Sequence, residues 1–218
     1  MKIETHLSAE DLAAVEARVR EAEAATGGEI VPYVVDASDA YTGASWAAVA
    51  FGALLGPLVA AVVPELTPLW RAWSPLWLPV PSLIGAALAL AAAQLVPALR
   101  RRLISAEVLE RRVELRAAAA FVEEEVFATR ERTGVLLFVS LFEHRVVVLA
   151  DAGIHRRVPE GSWERVVSEM VAALRAGDAR RALEEGVRRC GELLAHHGVP
   201  LRRDDVDELA NRVRREES

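Results

Sequence analysis

The chain has 218 residues, a formal net charge of −6 and 52% hydrophobic residues. Its mild acidity, with no basic stripe carrying interleaved aromatics, argues against a nucleic-acid partner. A single cysteine, Cys190, rules out an intrachain disulfide and any CxxC metal or redox motif.

Read from the start, the MKIETHLSAEDL segment lacks the basic residues and apolar run of a signal peptide, so any membrane insertion is expected to be directed by internal segments. Ser8 opens a helix: its hydroxyl can cap the first turn, and Asp11 three residues on suits the positive helix end. Leu12, Val15, Val19 and Ala22 follow at helical spacing, and Gly27-Gly28 ends the run. EIVPYVV (29–35) is apolar on both faces after its entry, which predicts a strand inside a covered sheet. Pro32 cannot donate to a ladder, so the strand is expected at an edge or locally irregular.

From 40 to 64 and from 74 to 99 the chain carries no charged residue, and the loop between holds only Glu65 and Arg71. The pattern predicts a transmembrane hairpin with spans at about 46–63 and 76–99. The first span covers roughly 27 Å at 1.5 Å per residue, near the bilayer core of about 30 Å. Tyr41 and Trp46 at one end and Trp70, Trp73 and Trp77 at the other suit interfacial belts. Gly52, Gly56, Gly85 and the alanines allow the spans to pack on each other, on other membrane proteins or on a second copy. Arg100-Arg101-Arg102 directly follows the second span, so both termini are expected on the cytoplasmic side of the inner membrane. Gln94 is the one strongly polar side chain deep in either span, which argues against an ion pathway.

Beyond the hairpin, the sequence predicts a helix from about 106 to 129, then strands at 135–140 and 145–151 joined by the turn Leu141-Phe142-Glu143-His144. Ser162 precedes a helix with the stripe Trp163, Val166, Val167, Met170, Val171 and Leu174. Asp178 precedes another, with Leu183, Val187, Cys190 and Leu194. Cys190 is thus expected as a small buried residue. Asp204 is expected to start a last short helix carrying Val206, Leu209 and Val213.

The first flank, 1–43, offers one helix and one strand without a partner. The second, 101–200, offers two strands and helices whose stripes need a sheet, with 201–218 as short helix and tail. Pairing 29–35 with 135–140 satisfies both and makes them halves of one domain, interrupted by the hairpin at 44–100. In that light AEAATGGEIVPYVVDAS, RTGVLLFVSLFEHRVVVLADAGI and SWERVVSEMVAALRAGDARRALEEGVRRCGELL resemble the TPM domain family. The resemblance covers about 5–40 and 105–198. It implies an α/β fold, a TPM-like α/β/α sandwich with a small mixed sheet, to which this chain adds an inserted two-helix transmembrane hairpin. It also implies an acidic metal-binding cleft in some members and phosphatase activity in one plant relative. The internal hairpin departs from the terminal anchor of most members, so their extracytoplasmic placement is not carried over.

Hard cations such as calcium or magnesium need several oxygen ligands. If the first two strands are parallel, Asp36 and Asp39 share one sheet end with Ser140 and Glu143. Glu29 shares the other with Asp151 and Thr133-Gly134. Glu29 and Asp151 are the candidate metal ligands, against structural roles in which Glu29 pairs with Arg132 and Asp151 caps a turn. His196 and His197 lie at a helix C-terminus and, being adjacent, are expected to point apart. His144 falls in the hairpin turn, and His155 sits beside Arg156 and Arg157. No Gly-x-Ser-x-Gly, P-loop or zinc-protease pattern occurs. The expected function is a membrane-anchored, non-catalytic binding or assembly module at the cytoplasmic membrane surface. The alternative is a divalent-metal-dependent phosphatase-like hydrolase with an acidic cleft.

Overall fold

Ser8 starts the first helix with a full capping box. Its hydroxyl accepts from the Asp11 amide at 3.1 Å, and the Asp11 carboxylate accepts from the Ser8 amide at 2.9 Å. In the computed structural model, residues 7–62, 76, 78–197 and 208–215 are described. The chain divides into two units, Met1–Asp39 with Glu110–Ser218, and Ala40–Leu109.

The first unit is built on a mixed sheet of order β3-β2-β1-β4. Its strands are β1 (Glu29–Val35), β2 (Gly134–Ser140), β3 (Arg145–Ala150) and β4 (Arg214–Arg215). β1 and β2 run parallel, Glu29 opposite Gly134 and Val35 opposite Ser140, as the split-domain reading requires. β2 and β3 form the expected antiparallel hairpin. On one face lie α1 (Ala9–Glu23), α7 (Trp163–Arg175) and α8 (Ala179–His196). Their Val15, Val19, Met170, Leu183 and Leu194 share a core with Ile30, Val34, Leu137 and Val139. The other face is covered by α5 (Ala106–Glu123), whose Val113, Ala117 and Ala120 meet Val31, Tyr33, Leu136 and Phe138. Cys190 is fully buried in the first of these cores, and burial pushes its thiol up to about 12.

Pro32 is tolerated for a local reason. Alternate amides of a strand point to the same side. The Ile30 amide leaves the sheet and donates to Glu23 Oε1 at 2.7 Å, so the next position on that side is Pro32, which has no amide to satisfy. β4 joins the same side one residue later, at Tyr33 and Val34. The strand is therefore central in the sheet, yet its proline sits on a stretch of edge.

Two expected boundaries are corrected. α5 stops at Glu123, short of 129, because Glu125 takes a left-handed φ of 50°. The Val126 amide then reaches Phe121 O and the Glu125 amide reaches Val122 O, the double closure of a Schellman turn. The helix expected over 204–213 is not formed in its described part. Residues 208–213 are irregular, and Arg214–Arg215 is a strand beside β1. Its opening residues, with Val206, lie outside the described residues.

The second unit contains α2 (Thr42–Val62), α3 (Pro79–Leu95) and α4 (Pro97–Arg102). α2 has 21 residues, about 31 Å of helix, and is long and apolar enough to cross a membrane by length and composition. α3 has 17 residues and falls short of that length. One span of the expected hairpin therefore meets the requirement on its own, and the two-span topology is not established. The intervening loop with Glu65 and Arg71, and Trp70, Trp73 and Trp77, lie outside the described residues. α3 ends where Pro97 forces Val96 out of the helical region, to φ −118° and ψ 90°. α2 and α3 pack backbone to backbone: a Cβ on Gly52 would overlap the Gly85 carbonyl, and one on Gly85 the Gly52 carbonyl. Their outward side chains are apolar, with Trp46, Leu54, Val62, Leu83, Leu88 and Leu95 between 66% and 81% exposed.

Candidate functional site

Parallel pairing of β1 and β2 places chemistry at both ends of the sheet. At the carboxyl end, the chain after β1 crosses the β2–β3 turn. The Leu141 amide donates to Val35 O at 3.0 Å and the Phe142 amide to Asp36 O at 2.9 Å. Here Glu143 is 5% exposed and Ser140 fully buried. The Ser38 amide donates to Glu143 Oε1 at 2.8 Å. Ser38 Oγ lies 3.0 Å from Ser140 Oγ, and Ser140 Oγ hydrogen-bonds Glu143 Oε2. The buried carboxylate is thereby held by an amide and a hydroxyl, a lock between the 36–39 loop and the hairpin turn. Asp39 points to Arg112, 3.1 Å away. His144 turns the corner at φ 50°. Ser140 donates its hydroxyl proton to the Glu143 carboxylate, which ties the end of β2 to the hairpin turn. Sequence reading found Asp36, Asp39, Ser140 and Glu143 at this end but missed Ser38. Its signal was a serine two residues past the strand, where side chains commonly tie a loop down.

At the amino end, Glu29 and Asp151 flank Gly134. Glu29 pairs with Gly134 in the ladder, and the Asp151 amide donates to Gly134 O at 2.9 Å. The two residues are thus about two strand spacings, roughly 10 Å, apart. Asp151 caps α6 (Ala152–His155), accepting from the Ala152 amide at 2.7 Å, and pairs with Arg132 Nε at 2.7 Å. Arg132 sits at φ 59° with its guanidinium 5.6 Å from the centre of the Phe127 ring. Glu29 Oε1 accepts from the Glu208 amide at 3.1 Å, tying the C-terminal segment to β1. The cap role foreseen for Asp151 is present, whereas Arg132 pairs with Asp151 and not, as foreseen, with Glu29. Among the described residues, no three histidine, cysteine, aspartate or glutamate side chains converge as a metal site.

The histidines at the end of α8 depart from expectation. The His196 and His197 rings touch edge to face at 5.2 Å. Both line a shallow cleft of about 340 Å³ with Ser162, Arg165 and Arg189. Helix termination explains this: His197 has left α-helical geometry, which turns its side chain toward that of His196.

Comparison with known proteins agrees with this architecture. The TPM domain model matches residues 103–193, from just ahead of α5 into α8. The solution structure of the BA42 protein from the psychrophilic bacterium Bizionia argentinensis superposes with a TM-score of 0.60 at 20% identity, covering 99% of each chain. At that identity the likeness is one of fold. No curated protein matches the chain. The matched residues, 103–193, are similar to the TPM domain, and the sheet and helices around them share the fold of the BA42 protein.

Proposed function

We propose that the chain is a membrane-anchored TPM-domain protein whose α/β unit acts as a non-catalytic binding or assembly module at the cytoplasmic face. The observation that carries the reading is the outward surface of α2 and α3, which exposes Trp46, Leu54, Leu83 and Leu88 to whatever surrounds the hairpin. Water is a poor neighbour for such a surface, and lipid a good one. Close Gly52–Gly85 packing supports a two-helix hairpin, and Arg100, Arg101 and Arg102 at its exit support cytoplasmic ends. On this reading α3 completes its crossing with flanking residues. The buried Ser38–Ser140–Glu143 group supports a structural role for the carboxyl end of the sheet.

Membrane fractionation tests the anchor. The chain should stay in the pellet after alkaline carbonate extraction, and release into the supernatant refutes anchoring. A cysteine introduced for Leu103 should be shielded from an impermeant thiol reagent in intact cells; labelling there reverses the orientation. The metal-dependent alternative rests on Glu29 and Asp151 and is tested by calcium and magnesium titration of the solubilised chain. Heat of binding lost in Asp151→Ala would favour that alternative over the structural one.

A further inference from the structure

The cleft between the start of α7 and the end of α8 holds polar groups that the α/β unit leaves unused. Ser162 and Arg165 line it from α7, and Arg189, Glu192, His196 and His197 from the last two turns of α8. Two of the six are already satisfied. The Arg189 guanidinium lies 2.9 Å from Glu169 and 3.1 Å from Glu185, and Glu192 is held by Arg188 and Arg189. The other four are not. Ser162 stands at the N-cap position without a side-chain cap bond. Among the described residues Arg165 forms no ion pair, and the His196 and His197 rings touch each other without a hydrogen bond to the protein. Val166, 3% exposed, and the half-buried Leu193 add apolar surface to the same cleft.

We propose that this cleft binds a small carboxylate with a compact apolar body. A guanidinium presents its N–H groups as a planar fork that matches the two oxygens of a carboxylate. The Ser162 hydroxyl and the imidazoles supply further donors beside it. Charge selects the class of ligand. One guanidinium lacks a counter-charge, and Glu192 stands among the lining groups, so the cleft compensates a single negative charge. A phosphate dianion would bring its second charge up to Glu192, which like-charge repulsion disfavours. The volume of about 340 Å³ is at the small end for ligand sites, and Val166 and Leu193 suit an apolar body. The cleft is shallow, so part of the ligand stays in water and the affinity is modest. The proposal rests on the binding-module reading and gives that module a ligand class. It uses residues of the α/β unit alone, so its failure leaves membrane anchoring untouched, which carbonate extraction tests separately.

The test follows the imidazole NMR signals of the full-length chain in detergent at constant pH, with His196 and His197 assigned through His196→Gln and His197→Gln. Benzoate should shift both signals saturably, and benzamide, its uncharged counterpart, should not. Arg165→Ala should weaken benzoate binding about tenfold, the loss expected with a hydrogen bond to a charged group. Arg156→Ala should leave binding unchanged, because Arg156 is an exposed arginine outside the cleft. Arg165 is exposed as well, so urea midpoints should be unchanged in both variants. Unmoved imidazole signals overturn the proposal, as does an equal response to benzamide. So does benzoate binding that Arg165→Ala leaves intact, or that Arg156→Ala weakens equally. Saturation by inorganic phosphate at lower concentrations than benzoate overturns it too, because the cleft would then prefer a second charge.

Discussion

Residues 40–109 can be replaced by a short linker without losing the α/β unit. The ends to be joined are close, because Asp39 reaches Arg112 at 3.1 Å. A flexible linker of about eight residues spans roughly 15 Å, enough to bridge them. What remains is β1, a crossover through α5, and β2, an ordinary parallel βαβ connection. Shortening a loop from roughly 70 to roughly 8 residues lowers closure entropy by about 2 kcal/mol on the scale of (3/2)RT ln n, so the linked protein should be no less stable than the parent unit. Removing β1 is a different matter. Ile30, Val31, Tyr33, Val34 and Val35 are each at most 3% exposed. At about 2 kcal/mol per buried side chain their loss approaches 10 kcal/mol, which is comparable to the whole stability of a domain. Urea denaturation followed by circular dichroism, with size-exclusion chromatography in detergent-free buffer, distinguishes the cases. The linked chain should elute as a soluble species and unfold in one transition, while 110–218 alone should show none. If 110–218 alone unfolds cooperatively at the same midpoint, β1 is not integral and the split-domain argument fails. An insoluble or unfolded linked chain refutes it equally.

The remaining predictions concern buried polar groups and the thiol. Ser140→Ala should lower stability by about 1–3 kcal/mol in urea, because it removes a hydrogen bond to a buried carboxylate, and the Ser38 amide should lose hydrogen-exchange protection. Asp151→Ala removes both the α6 cap and the partner of Arg132, so the urea midpoint should fall by an amount equal to about 1–2 kcal/mol. The Cys190 thiol, raised to about 12 from 9.0, is protonated in the folded state where the unfolded chain would ionise. Its contribution is complete below pH 9 and is lost as pH rises from about 9 to about 12. Going from pH 8 to pH 10 should therefore cost about 1.3 kcal/mol in the native protein but not in Cys190→Ala. In the native protein, thiol reagents at pH 8 should react at the rate of unfolding, and rapid labelling would contradict the burial.

Local signals in the sequence determined most elements, because caps and periodicity act within a turn or two. Ser8 with Asp11, the stripes of α7 and α8, and the β2–β3 hairpin all formed where residue types placed them. Even a long-range fact was legible: β1 is apolar on both faces and has no partner in its own segment, so it had to pair across the apolar insertion. Tertiary structure decided what depends on neighbours distant in sequence. Pro32 became acceptable in a central strand only because Glu23 takes the Ile30 amide and β4 arrives one residue further along. Arg214 and Arg215 became a strand because β1 had an open edge, not through any strand propensity of their own. Glu143 and Ser38 meet across 105 positions, a separation that spacing cannot reveal. α5 shows why both levels are needed: Leu115 and Val122 stand at helical spacing yet are 56% and 62% exposed, and only the packed domain reveals that Val113, Ala117 and Ala120 form the face turned to the sheet.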